Sequence, residues 1–136
     1  MAKFRGAEIV KDIRKALDRG QAQFVTNTQS KLSAGSPVDT GRLASSWYAA
    51  KDNPDRSVAP ERDEPGPVTI ERYSGKITFE GDWWVSNSLK YAERAALDPG
   101  YVGRVGGGNG AWFSQVVSNL NRDADRIFQR ELKKVK

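Results

Sequence analysis

Apolar residues recur at helical spacing between residues 7 and 33. Successive members stand three or four positions apart, which places them along one stripe of a helix; they are Ile9, Ile13, Leu17, Gly20, Phe24, Thr28 and Leu32. The sequence Ala-Gly-Ser-Pro at 34–37 ends this helix, because glycine tolerates a left-handed cap and proline cannot continue the hydrogen-bond ladder. The pattern therefore predicts one long amphipathic helix over residues 7–33.

A second stripe of the same kind runs from Ala111 toward the end of the sequence. Its members are Phe113, Val116, Val117, Leu120, Ala124, Ile127, Phe128 and Leu132. Lys133 and Lys134 follow, where the dipole of a helix favours cations. We expect a long C-terminal helix and a short tail over residues 134–136.

Shorter patterns between the two helices favour β-structure. Trp47 opens an apolar run that is typical of a strand. Apolar and polar residues then alternate at 68–70 and 77–79, and an apolar run follows at 83–85, with turn residues between these segments. The three segments predict a small antiparallel meander, and residues 91–97 predict a short helix.

Together these patterns predict an α+β fold in a single domain, 1–136, with the two long helices packed on a small antiparallel sheet. Residues 51–67 contain four prolines amid mixed charge, so we expect an exposed, mobile insertion loop there. Residues 103–110 contain five glycines and predict a flexible hinge before the last helix.

Composition narrows the possible chemistry. The chain has no Cys and no His, which excludes disulfides, thiolate metal sites and catalytic arrangements built on histidine. Leu, Ile, Val and Phe make up about a fifth of the residues, just above the level at which chains usually fail to fold. We therefore expect partner surfaces to complete the core. No apolar run approaches the roughly 20 residues that span a bilayer, so a soluble protein made in the cytoplasm, without a membrane partner, is expected.

The net charge of +5 is unevenly distributed. Residues 1–50 carry a balance of +4 and residues 111–136 one of +3, whereas residues 51–81 carry −2. Basic ends attract nucleic acid or an acidic protein surface through the long-range field, although solvated helix faces produce the same balance. No run of five like charges marks a dedicated nucleic-acid arm.

Asp39-Thr40-Gly41 matches the local signature of aspartic proteases. Such enzymes need two carboxylates that share a proton, which a homodimer supplies from one copy per chain. The signature normally leaves an apolar strand, whereas here it follows the helix terminator Ser36-Pro37. Capping of the next turn by Asp39 or Thr40 is the simpler interpretation.

Three other motifs have weaker chemical interpretations. The glycine run lacks the Lys-Ser or Lys-Thr of a phosphate-binding loop. Trp83, Trp84 and Tyr91 suggest a stacking platform, but adjacent strand residues point to opposite faces, so one Trp is expected in the core and the other outside. The acidic run at 61–64 lacks the ligand spacing of a calcium loop.

Two blocks of residues resemble a known family. Residues 36–47 read Ser-Pro-Val-Asp-Thr-Gly-Arg-Leu-Ala-Ser-Ser-Trp. This string resembles the Pro-Val-Asp-Thr-Gly-x-Leu-x-x-Ser-Trp block of the tail-completion and neck proteins (minor tail components) of long-tailed bacteriophages. Residues 85–89, Val-Ser-Asn-Ser-Leu, and 91–94, Tyr-Ala-Glu-Arg, are similar to a second block of that family. After Leu97 the sequence departs from the family pattern.

The resemblance implies a virion structural protein at the head–tail junction, without catalysis, metal or cofactor. Copies of the chain would form a ring, sixfold rather than twelvefold, coaxial with the DNA channel. The ring would join or seal the tail to the DNA-filled head, between head-completion or connector proteins and tail-terminator or tail-tube proteins, with transient contact to phage DNA. A dimeric aspartic protease and a basic DNA-binding architectural protein are the alternatives.

Eight residues receive roles under this interpretation. Asp39, Thr40 and Gly41 are expected to set a sharp corner between helix and sheet. The other five are expected in the core or at subunit contacts, the arginines in charged inter-subunit pairs: Arg42, Trp47, Trp84, Tyr91 and Arg94.

Overall fold

The computed structural model describes residues 6–98, 100–101 and 111–135. Its elements, in chain order, are α1 (Gly6–Gly35), β1 (Trp47–Lys51), β2 (Trp83–Asn87), α2 (Ala92–Leu97), α3 (Trp112–Ser118) and α4 (Leu120–Leu132). The predicted α+β class is confirmed, with four helices and one two-stranded antiparallel sheet in these ranges. The hinge predicted at 103–110 and the last residue of the predicted tail lie outside the described residues.

The 30-residue helix α1 agrees with the helix predicted over 7–33 and extends it slightly at both ends. Its predicted stripe is only partly buried. Gly20 and Leu32 lie in the interior, whereas Ile9 and Ile13 are 39% and 36% exposed. All residues from 7 to 15 are exposed, although Asp12 and Lys15 lie beside Lys134 and Val135.

Helix α4 packs along α1 in the antiparallel direction. Arg19 of α1 bonds Glu131 at the end of α4, whereas Lys31, three turns later, bonds Asp123 near its start. Both acidic side chains are buried between the helices. The two ion pairs therefore fix the direction and the register of this contact.

A glycine allows the close approach of the two helices. A Cβ atom at Gly20 would lie 2.5 Å from Cδ1 of Phe128, so the aromatic ring of α4 occupies the space that any side chain at this position would need. Ile127, the neighbour of Phe128, is 1% exposed. Gly20, a member of the predicted stripe, is therefore a packing position.

The sheet joins two segments that are far apart in sequence. β1 and β2 are antiparallel, and Trp47 is opposite Asn87, Ala49 opposite Val85 and Lys51 opposite Trp83. The strand expected from Trp47 onward is therefore confirmed, as is a strand at 83–85.

The other two segments of the predicted meander form no strand, and that prediction is wrong. Backbone N–H groups of these segments bond side chains instead, and the N–H of Thr69 donates to Ser45 Oγ at 3.1 Å. Gln29 Nε2 donates to the carbonyls of both Trp47 and Glu71, at 2.7 and 2.9 Å, and the Phe79 N–H donates to Asp18. A side-chain amide thus joins β1 to residue 71 where a third strand would need ladder bonds.

The predicted C-terminal helix is interrupted. α3 ends at Ser118 and α4 begins at Leu120, with Asn119 between them at φ −92° and ψ −5°. The helices on either side of the interruption have different contacts. α3 contacts α2 and α1, whereas α4 packs along α1. Asparagine favours such positions because its side chain competes for backbone hydrogen bonds.

The buried core is small and divided. One cluster consists of Leu32, Trp47 and Trp112, and the other of Leu43, Leu89 and Ala95. The two Trp rings meet edge to face, with centroids 6.4 Å apart. The division agrees with the lean apolar composition.

Candidate interaction surfaces

The segment between α1 and β1 contains the first block of the family resemblance. Ser36 Oγ accepts a hydrogen bond from Trp47 Nε1 at 2.9 Å and donates to the main chain of α1. Ser33 Oγ donates to the carbonyl of Ala44 at 2.7 Å. Residues 43–49 are all buried. Serine hydroxyls therefore hold this corner together by bonds to backbone and to one indole.

Asp39, Thr40 and Gly41 form the turn of the corner. Thr40 Oγ1 accepts from the N–H of Arg42 at 3.3 Å, as a capping side chain does, and the Thr40 carbonyl accepts from the N–H of Gly66. Gly41 has a φ of +92°, and a Cβ atom there would lie 2.9 Å from the Gly66 carbonyl oxygen. Asp39 is exposed.

Arg42, assigned from the sequence to an inter-subunit pair, has partners within its own chain. Its Nε donates to the carbonyl of Ala59 at 2.7 Å, and its Nη1 lies 3.7 Å from Glu61 Oε1. Ser46 Oγ accepts from the N–H of Ala59 at 2.9 Å. These bonds fasten the middle of the 51–67 loop to the corner, while the mobility of its other parts stays a prediction.

The assigned tryptophans lie in different environments. Trp47 belongs to the core, whereas Trp84 is 46% exposed and donates through Nε1 to the carbonyl of Asp52. Trp83 is half-buried, and its ring meets that of Tyr73 edge to face at 5.0 Å. The two adjacent tryptophans of β2 therefore differ in exposure, with Trp84 presented to solvent.

Tyr91 and Arg94 meet beside the second core cluster. Tyr91 stacks on Tyr101 with ring centroids 6.4 Å apart, and the Arg94 guanidinium lies 5.8 Å from the Tyr101 centroid. Burial raises the pKa of both tyrosines, and the negative charge of Asp39 adds to the effect. Arg94 also pairs with Asp98 at 3.7 Å. This surface combines aromatic rings with exposed charge.

An apolar groove of about 670 Å³ opens between α1, the sheet and the three other helices. The second predicted stripe faces it through six residues, Phe113, Val116, Val117, Leu120, Ala124 and Phe128, and the first through Phe24, Thr28 and Leu32. The two helical stripes predicted from the sequence therefore face each other across a space that the described residues leave unfilled. We call this feature the apolar groove.

Few polar groups are free to act in the apolar groove. Thr28 Oγ1 donates to the carbonyl of Phe24 at 2.8 Å. Asn87 Nδ2 donates to the carbonyl of Leu43, and Asn87 Oδ1 accepts from the N–H of Leu89. Glu93 is the one charged residue among the described residues of the lining. The groove therefore offers apolar surface rather than a set of converging hydrogen-bond groups.

Sequence reasoning did not find this groove, although its walls are the predicted stripes. Periodicity identifies the apolar face of a helix but not what covers that face. The buried roles of Gln29, Asp123 and Glu131 were also missed, because a polar residue carries no sequence signal of burial when its partner lies about 20 to 110 positions away.

The described ranges contain no group of three or more His, Cys, Asp or Glu side chains placed to hold a metal ion, the acidic run at 61–64 included. None of the described helices combines the length and hydropathy of a membrane span. Comparisons with protein-family models, with curated proteins and with solved structures find no match for this chain.

Proposed function

We propose that the protein is a structural component of a bacteriophage virion, placed at the head–tail junction. In this role, copies of the chain form a ring around the DNA channel that joins or seals the tail to the filled head. A sixfold ring is favoured, with head-completion or connector proteins on one side and tail-terminator or tail-tube proteins on the other.

The observation that carries the proposal is the unfilled apolar surface. The apolar groove is lined by residues of six elements, α1 to α4 and both strands, yet no described side chain fills it. Trp84, Leu97 and Val117 are also large apolar side chains between 45% and 63% exposed. A contiguous exposed apolar surface is a candidate interaction site, and a ring subunit has neighbours to cover it.

The location of the resembling block also supports this role. Residues 36–47 turn the chain from α1 into β1, where Ser36 Oγ accepts the indole N–H of Trp47 and Gly41 adopts a positive φ. Because this turn depends on a short run of residues, a resemblance within that run supports the proposed family. Catalysis by Asp39 has no comparable support, because its triplet forms a turn after a helix rather than leaving a strand.

Gold-labelled antibody electron microscopy on phage particles induced from the source strain tests the proposal. Gold at the head–tail junction is the expected result. Gold elsewhere on the particle would support a structural role in the virion but reject a location at the head–tail junction. Unlabelled particles, with the protein confirmed in the same lysate, reject both and favour the protease or the DNA-binding alternative.

Deletion of the gene provides an independent test. If the protein joins tail to head, the lysate should contain filled heads and complete tails that are not attached to each other. A plasmid copy of the wild-type gene should restore joined particles. Uncleaved virion precursors would instead indicate the protease, and this outcome should be reproduced by Asp39→Asn.

A further inference from the structure

The first turns of α1 form an exposed arm with an apolar face. We define the arm as residues 7–15, all of which are exposed. Ile9, Val10 and Ile13 are 39%, 52% and 36% exposed, and their spacing places them on one side of the helix. Isolated helical turns are marginally stable in water, so such a face is usually buried against a partner.

The apolar groove has the chemistry to accept that face. Its lining is mainly aliphatic and aromatic, and the side chains of Thr28 and Asn87 are already bonded within the chain. A polar ligand would find few groups to orient it. Aliphatic side chains on a helix need no such groups.

Charge also matches between the arm and the groove. Among the described lining residues the one charged side chain is an acid, Glu93. The arm carries three basic and two acidic residues, and Arg14 stands next to Ile13 in sequence. An arm seated in the groove would therefore bring a segment of net positive charge to Glu93.

A chain cannot place its own arm in its own groove. Residues of α1 from Gln21 to Leu32 form one wall of the groove, and the arm continues the same helix past its end. Along a continuous helix the arm therefore extends away from that wall. A second molecule has to supply the arm.

From these observations we infer that the arm of one copy docks in the apolar groove of the next. The contact is heterologous, because two different surfaces of the same chain meet, and such contacts generate rings when the rotation closes. The inference rests on the proposed function for its setting and identifies the surfaces by which the ring would assemble. It names Ile9, Val10 and Ile13 as the donor face.

Cysteine cross-linking in purified protein tests the inference directly, since the natural chain has no Cys. Val10→Cys and Val117→Cys are placed on separate molecules that carry tags of different size. They are mixed at about 1 mM, where a contact with a Kd of 1 mM is substantially occupied, and are treated with a short bismaleimide. A mixed dimer is expected. Ser57→Cys, an exposed position in the 51–67 loop and outside the groove lining, replaces Val117→Cys in the matched control and should give none.

Two further variants separate docking from chance collision. Ile13→Gln should abolish the mixed dimer, whereas Lys11→Gln, on the opposite side of the same arm, should leave it. Both positions are exposed, so both variants should melt at the wild-type temperature. Loss of the cross-link in both variants, or in neither, would overturn the inference.

The remaining outcomes are also decisive. Cross-linking of Val10→Cys to itself, without the mixed dimer, would indicate arm-to-arm pairing and reject the groove. A small apolar molecule retained in native mass spectrometry, with no mixed dimer, would assign the groove to a ligand. Because the assay uses purified protein, its failure leaves the localisation at the junction standing, and unlabelled phage particles would leave the arm contact standing.

Discussion

Gly41 is held in a backbone conformation that a side chain would strain. Its φ of +92° lies in the left-handed region, and its α-carbon faces a main-chain carbonyl that cannot move aside as a flexible side chain would. We predict that Gly41→Val destabilises the fold by about 1–3 kcal/mol through backbone strain, with a further cost from the contact with Gly66. Chemical denaturation measures the loss.

Gly100→Val is the matched control for this substitution. Gly100 is exposed, and among the described residues a Cβ atom there would approach the Asp98 carboxylate, at 3.3 Å. Its unfolding midpoint should stay close to that of the wild type. Wild-type stability and normal incorporation of Gly41→Val into particles would count against the corner described here.

Ser36 holds the indole of Trp47 from a site with no access to water. The hydroxyl is the acceptor for Trp47 Nε1, and Ser36 is 0% exposed. Ser36→Ala should cost about 1–3 kcal/mol, because it leaves a buried N–H without a partner. Ser118→Ala removes an exposed hydroxyl from the end of α3 and should change stability by less than about 0.5 kcal/mol. Equal losses in the two variants would contradict the role of the buried bond.

At the scale of elements, the contact between α1 and α4 depends on pH. Hydrogen bonds from Gln23, Arg19 and Lys134 lower the pKa of Glu131 from 4.5 to about 2. A carboxyl whose pKa is lower in the folded state contributes stability that is complete above its unfolded pKa and is lost as pH falls through its folded pKa. The free energy of unfolding should therefore decrease between about pH 5 and pH 2.

Glu131→Gln tests this dependence. At pH 7 the variant should lose about 1–3 kcal/mol, since bonds to a charged acceptor become bonds to a neutral amide. Its decline toward pH 2 should be shallower than that of the wild type. Asp125→Asn, on the exposed side of the same helix, should follow the wild-type curve. A wild-type slope in Glu131→Gln would reject the assignment.

The helices could be predicted from the sequence because their signals are local. Periodicity located α1, and Trp47 marked the start of β1. The meander could not be predicted correctly, since alternation at 68–70 and 77–79 indicates which side chains face inward but not what pairs with the backbone. The partners are the side chains of Ser45, Gln29 and Asp18, which lie 24 to 61 positions away.

The corner could be predicted from the sequence and the apolar groove could not, again because only the corner has a local signal. Glycine and proline marked the turn at 36–41 in the sequence, because their backbone preferences are intrinsic. The apolar groove arises from the distance between α1 and the C-terminal helices, which no local pattern encodes. The interruption of the C-terminal helix at Asn119 lies between these two cases in predictability, since asparagine occurs both within helices and at their ends.

For the whole molecule, the net charge of +5 overstates the attraction to DNA. At least six basic side chains form ion pairs within the described residues, among them Arg19 and Lys31 with buried acids. We predict non-specific binding to duplex DNA with a Kd of about 10⁻⁴–10⁻⁶ M that weakens as salt rises. Fluorescence anisotropy at low and high salt measures it. Nanomolar, salt-resistant binding would instead favour the DNA-binding alternative.

Hydrogen bonds between residues far apart in sequence determine which positions of this chain can vary. In many of them a side chain donates to a main-chain carbonyl: Ser33 to Ala44, Gln29 to Trp47 and Glu71, Asn87 to Leu43, and Trp112 to Ala95. Every residue type supplies the same carbonyl. Only the donor side of each bond is therefore constrained, and an acceptor position such as Glu71 is free to drift. A saturation scan of folding should find sharp intolerance at Ser33, Gln29 and Asn87 beside broad tolerance at Glu71, so that distant relatives could share this architecture with few identical residues.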